Sequence, residues 1–119
     1  MLTKCVTTKS TLLVPDMEDS VPVPEKPKAR QMIRDKLAYL RANAALGAST
    51  VITPRTNSLD TGLFFDDVRG ILDAESAKLI DGFCIPKVDR VSDVNEIDAF
   101  LASEEKRLSL AENSLKVIP

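Results

Sequence analysis

Four short runs of apolar and β-branched residues recur along the chain at nearly even intervals, and this spacing constrains the fold more than any other feature. The runs are Thr11–Val14, Thr50–Thr53, Phe83–Ile85 and Leu115–Ile118. Val14 lies 38 residues before Ile52, Ile52 lies 33 before Ile85, and Ile85 lies 33 before Ile118. A strand covered on both faces reads as a continuous apolar run rather than an alternating one. An interval near 33 residues is the length of one strand, one helix and their loops. The expectation is an α/β protein with about four parallel strands joined by three crossover helices.

The intervals between the runs carry helical patterns. The first helix is expected from about Pro24 to Ala44, because Pro24 is tolerated in a first turn and Gly47 suits a C-terminal stop. Ala29, Ile33, Leu37, Leu40 and Ala44 share one face at three- or four-residue spacing. The second helix is expected over about Phe65 to Glu75, with Val68, Ile71 and Leu72 inward. Asp66 and Asp67 fall in its first turn, where the helix dipole favours negative charge. The third is expected over about Asp93 to Leu110. Val94, Ile97, Leu101 and Leu108 should face inward with Phe100 beside them. Asp93 and Glu96 resemble a capping arrangement, with Ser92 as a rival cap. Glu104, Glu105, Lys106 and Arg107 read as a solvated face.

Composition excludes several function classes. Sixteen basic residues against eighteen acidic ones leave a net charge of −2, which is not the basic footprint of a nucleic-acid binder. No apolar run approaches the ~20 residues of a membrane-spanning helix. The chain has no histidine, so Ser-His-Asp and Cys-His catalysis and Cys/His zinc sites are excluded. Cys5 and Cys84 form no C-x-x-C pair. Cys84 lies in a strand-like run and reads as a small buried hydrophobe. Nothing suggests a secreted disulfide framework, and an intracellular location, cytoplasmic or mitochondrial, is expected. The first thirteen residues are acid-free and include Lys4 and Lys9. They fit either a transit peptide or the tail of a helix feeding the first strand.

In parallel α/β folds, ligands bind at the carboxyl ends of the strands. Asp16, Glu18 and Asp19 follow the first run, Pro54-Arg55-Thr56-Asn57 the second, and Pro86-Lys87-Val88-Asp89 the third. Clustered carboxylates repel unless a cation lies among them. Arg55 and Lys87 can neutralise Asp16 and Glu18, or Arg55 can fork onto a substrate carboxylate. Spacing alone leaves a structural ion network and an anion site equally open. Asp16, Glu18 and Asp19 also fit turn and capping roles. Lys87 fits a rim lysine paired to Asp89 or Glu18, and Asn57 a loop hydrogen-bonder or a ligand contact.

Three segments carry a family resemblance. Leu13-Val-Pro-Asp16-Met-Glu18-Asp19-Ser-Val21, followed by Glu25-Lys26-Pro-Lys-Ala-Arg30, resembles the signature LDLEDSV…EK…AR of the citrate-lyase-β-like branch of the HpcH/HpaI aldolase superfamily. Pro54-Arg55-Thr-Asn57-Ser-Leu-Asp-Thr-Gly62 is similar to its VRVNSLDTG. Asp81-Gly-Phe-Cys84-Ile-Pro-Lys87-Val88 is similar to its DGIVLPKV. The resemblance implies a partial (β/α)8 TIM barrel across residues 1–119. It implies a Mg²⁺-dependent carbon–carbon lyase of the citryl-, malyl- or citramalyl-CoA type, acting on an organic-acid CoA thioester and homo-oligomeric at full length. By the same resemblance Arg55 grips the substrate acid. Asp16, Glu18 and Asp19 line the pocket floor and hold the arginine or metal-bound water. Lys4 matches a CoA contact by spacing only.

The pattern departs from the family at Pro54, which cannot donate to a ladder, and at Pro15, which biases Val14 to extended geometry. The family's opening strand, with its YVPG turn, and its two Mg²⁺-binding carboxylates are expected outside residues 1–119, so no catalytic or metal residue is assigned. A catalytically inactive or partner-binding remnant of such an enzyme is the alternative reading. Two structural expectations follow. The four runs should form neighbouring parallel strands of one curved sheet with right-handed crossovers, and Arg55 should reach Asp16 or Glu18 at one mouth.

Overall fold

The computed structural model describes residues 12–18, 21–43 and 49–119. Thr11, Ala44 and Gly47, which belong to the expected first strand, helix face and helix stop, lie outside them. The order of elements is β1 (Leu12–Leu13), α1 (Lys26–Asn43), β2 (Val51–Ile52), α2 (Phe64–Ile71), β3 (Gly82–Cys84), α3 (Val91–Arg107) and β4 (Lys116–Ile118). Each expected run yields a strand, and every pairing is parallel. Leu12 sits opposite Val51 in β1–β2, and Phe83 opposite Val117 in β3–β4.

Arg55 joins the two pairs. It bridges in parallel to Asp16 on one side and to Cys84 on the other. Cys84 donates its N–H to Pro54 O, and Thr56 donates to Cys84 O. The regular parallel pattern would next ask residue 54 for an N–H opposite Gly82, and proline has none. Pro54 leaves that bond unmade, and before it Asp81, not Gly82, donates its N–H to Ile52 O, so β2 and β3 meet regularly only at the Arg55–Cys84 bridge. The strands thus form two two-stranded parallel sheets, β1–β2 and β3–β4, joined through Arg55, and not the one continuous sheet expected.

The core lies between these sheets and the helices. α1 buries Ala29, Ile33, Leu37 and Leu40, and α2 buries Phe64, Val68 and Ile71. They pack with Leu13, Ile52, Phe83 and Ile85 from the strands. α2 ends at Ile71, not near Glu75. There the Asp73 carboxylate accepts the N–H groups of Glu75 and Ser76, and Ser76 Oγ donates to Ile71 O. This local side-chain bonding competes with the helix and turns the chain.

α3 corrects three expectations. Its first residue is Val91, so Asp93 occupies the third helical position and accepts the N–H of Arg90. Asp93 thus closes the cap from inside the helix, and neither Ser92 nor the Asp93–Glu96 pair does so. Val94 is 52% exposed; the buried face is Ile97 and Leu101, extended by Glu104 and Glu105. Those two glutamates are not a solvated face. Glu104 accepts from Arg107 at 2.6 Å and Arg69 at 3.3 Å. Glu105 accepts the N–H of Leu115 at 2.8 Å and of Asn113 at 3.2 Å, so it pins the turn that enters β4. Lys106 and Arg107 stay exposed, as expected.

Candidate site at the carboxyl ends of β1 and β2

The segments leaving β1 and β2 bring Asp16, Glu18 and Arg55 together. Arg55 donates its N–H to Pro15 O, and Met17 donates to Arg55 O, which locks the two segments in register beyond the strands proper. On that frame the guanidinium forms a two-pronged fork on Asp16, Nε to Oδ1 and Nη2 to Oδ2, both at 2.8 Å. Asp16 Oδ1 also accepts the N–H of Glu18 at 2.9 Å, so one carboxylate holds both the arginine plane and the turn after β1. Glu18 approaches Arg55 less closely, Oε1 to Nη1 at 3.5 Å. At that distance it is an ion pair rather than a good hydrogen bond.

A second layer lies underneath. Asn57 follows Arg55 by two residues and is buried. Its side-chain amide donates to Met17 O at 3.0 Å and to Asp67 Oδ2 at 2.7 Å, and its backbone N–H donates to Asp67 Oδ2 at 2.6 Å. Asp67 is fully buried and also accepts from Arg30 Nε at 2.7 Å. Lys26 Nζ donates to Met17 O, Glu18 O and Asn57 Oδ1 at 3.0, 2.9 and 2.7 Å. A continuous hydrogen-bonded chain, Arg30–Asp67–Asn57–Lys26, therefore links α1, the turn after β1, the loop after β2 and α2.

Of the residues expected from sequence, Arg55, Asp16 and Glu18 meet as foreseen. Asn57 is a hydrogen-bonder inside the loop framework. Lys4 and Asp19 lie outside the described residues. Lys87 is exposed with a left-handed φ of 56°, and Glu18 pairs with Arg55 instead. Cys84 is half-buried beside Arg55 rather than sealed in the core. Burial pushes its thiol pKa up, while the positive charge of Arg55 pulls against that, so it is not an activated nucleophile. Sequence reasoning missed Lys26, Arg30 and Asp67 as site components. Lys26 and Arg30 stand in the recognised EK…AR segment, but nothing local shows that they point inward toward Asn57 and Asp67.

The described residues do not by themselves fit a Mg²⁺ site. Asp16 and Glu18 are turned onto Arg55, and among the described residues no three acidic or cysteine side chains converge as a metal-binding group.

Comparison with known proteins finds similarity in sequence and in fold. The sequence model of the HpcH/HpaI aldolase/citrate lyase family matches residues 1–118. An L-malyl-CoA/beta-methylmalyl-CoA lyase of Rhodobacter capsulatus is 35% identical over 101 residues, covering 80% of this chain and 30% of the relative. Malate synthase of Haloferax volcanii, in its magnesium/glyoxylate complex, superposes with a TM-score of 0.84 at 24% identity, over 98% of this chain and 36% of that one. Its pyruvate/acetyl-CoA ternary complex gives 0.80 at 24% identity, over 98% and 33%. The chain thus spans about a third of the length of the relatives it matches.

Proposed function

The chain belongs to the HpcH/HpaI aldolase/citrate lyase family, and from that premise we propose that its strand-end mouth binds the acid end of a CoA thioester in a carbon–carbon lyase. Citryl-, malyl- and citramalyl-CoA are the substrate class, and the malyl-CoA lyase relative supports it. The observation that carries the reading is the Arg55 fork on Asp16 with Glu18 standing off at 3.5 Å.

The chemistry of the mouth follows from its charges. Asp16 fixes the guanidinium plane by a bidentate, charge-assisted contact. Glu18 is the weaker partner, so an incoming carboxylate competes with Glu18 for Nη1 and leaves the Asp16 fork intact. Arg55 is then oriented before the substrate arrives, which reduces the ordering cost of binding. Among the described residues two carboxylates face one guanidinium, which disfavours a bare anion, and a divalent cation in the complete site would offset this. Mg²⁺ is that cation by family expectation, supported by the magnesium complex of the malate synthase neighbour. It would act as a Lewis acid toward the substrate oxygens, held by residues other than those described. Catalysis needs the rest of a barrel of about eight strands, and a homo-oligomer is the proposed assembly.

The test is substitution of Arg55 in the whole protein, with acid binding and release of acetyl-CoA from the three thioesters as readouts. Arg55→Lys keeps the charge and loses the fork. Without the Asp16 fork to orient it, the lysine loses the single charge-assisted Nη1 contact to the acid, about 1.5–3 kcal/mol, so acid binding should weaken roughly 10- to 100-fold. Unchanged affinity in a folded Arg55→Lys variant would overturn the assignment.

A further inference from the structure

Among the described residues Lys26 is the one buried lysine, at 6% exposure. Two general effects oppose its placement. Burial costs an ammonium its hydration, and the first residue of a helix is the positive end of the helix dipole. α1 begins at Lys26. No ion pair to a carboxylate within the described residues offsets these costs directly. What Lys26 does have is a full set of acceptors, since its three N–H groups match Met17 O, Glu18 O and Asn57 Oδ1. With its protons committed in this way, it is not a general base for the mouth.

The three acceptors are informative because of where they lie. Met17 and Glu18 continue directly from Asp16, and Asn57 follows Arg55 by two residues. Lys26 therefore ties the segment carrying both carboxylates to the segment carrying the guanidinium. Asn57 extends the tie to the buried Asp67, and Asp67 extends it to Arg30.

We propose that Lys26 is a positioning residue for the acid-binding mouth, acting through the Met17 and Glu18 carbonyls and Asn57 to fix how closely Glu18 opposes Arg55. The consequence for ligand binding rests on the acid-binding reading above; the positioning itself does not. A neutral side chain at this place would free the turn after β1, letting Glu18 drift relative to Nη1 and loosening the frame that holds the Asp16 fork.

The experiment follows the Arg55 Nε–H resonance in ¹⁵N-labelled full chain, alongside binding of L-malate as the probe acid. The variants are Lys26→Met, Lys26→Gln, Glu18→Gln and the Lys26→Met/Glu18→Gln pair. In folded Lys26→Met, the Arg55 signal should shift and exchange with water about tenfold faster as the frame opens locally. Malate binding should change about tenfold in the wild-type background and by less than about twofold in the Glu18→Gln background. Lys26→Gln, which keeps a donor and loses the charge, decides the matter if Lys26→Met does not fold. An unchanged Arg55 signal overturns the proposal, as does the same fold-change in both backgrounds, since a purely structural lysine would produce either. If malate binds none of the proteins, the acid-binding reading fails while the Arg55 resonance still decides the positioning role.

Discussion

Replacing Asp67 with asparagine tests whether the buried network or the local helix terminus explains this residue. Its carboxylate is fully buried and accepts three contacts, from the Asn57 N–H, the Asn57 amide and Arg30 Nε, at 2.6, 2.7 and 2.7 Å. Asp67→Asn removes the charge and presents an amide NH₂ toward donors. The Arg30 guanidinium, 14% exposed, then loses its anion. Breaking a buried ion pair costs about 3–5 kcal/mol, and the residual solvent contact of Arg30 argues for the low end, about 3 kcal/mol. With a urea m-value of about 2 kcal/mol/M, the unfolding midpoint should fall by about 1.5 M. Asp66→Asn is the matched control, because Asp66 shares the first turn of α2 and its dipole interaction but is exposed. That control should cost less than about 1 kcal/mol. Urea unfolding of both variants, followed by circular dichroism, makes the comparison. Equal losses would mean that the dipole accounts for Asp67 and that the network adds nothing.

Asp73 should shape the acid limb of stability. The Ser76 N–H, helped by the Glu75 N–H and Arg34 and opposed by burial, holds its pKa at about 2 against an ordinary 3.8. Its contribution is therefore present above 3.8 and is lost as the pH falls toward about 2. Asp73→Asn should flatten the dependence of the urea midpoint on pH in that window, and an unchanged slope would refute the assignment. Gly82→Ala should disrupt β3–β4, because a Cβ there would meet Lys116 O at 1.9 Å and Lys116 C at 2.5 Å. The cost should be at least about 3 kcal/mol, read as a lowered melting temperature, and a variant as stable as wild type would contradict the strand register. A purified polypeptide of these 119 residues should associate through the edges of β1 and β4 and show no CoA-thioester lyase activity. Leu12, Val14 and Val117 are each 38–40% exposed, and exposed apolar edges pair with other chains. Size exclusion with a Mg²⁺-supplemented acetyl-CoA release assay checks this, and a clean, active monomer would refute it.

Strand identity, parallel pairing and the Arg55–Asp16–Glu18 mouth were legible in the sequence. Each depends on a short-range signal: an apolar run, a 33-residue interval, a charged group just past a strand. The buried faces of α1 and α2 followed from their three-and-four spacing for the same reason. The roles of Lys26, Asp67, Glu104 and Glu105 were decided by tertiary structure. Each is a charged residue on a helix, and sequence pattern assigns such residues to water. Whether a charge is buried depends on partners that supply hydrogen bonds, and for three of these four residues one such partner lies more than thirty residues away. Lys26 meets Asn57 31 residues away, Asp67 meets Arg30 37 away, and Glu104 meets Arg69 35 away. Glu105 takes the N–H groups of a turn eight to ten residues on. Val94 went the other way: its spacing matched an inward face, but α3 meets the core through Ile97 and Leu101, leaving Val94 in solvent. Local periodicity determines which faces a helix can bury. Only the packed arrangement of the elements supplies the distant donors and acceptors that make a buried charge stable.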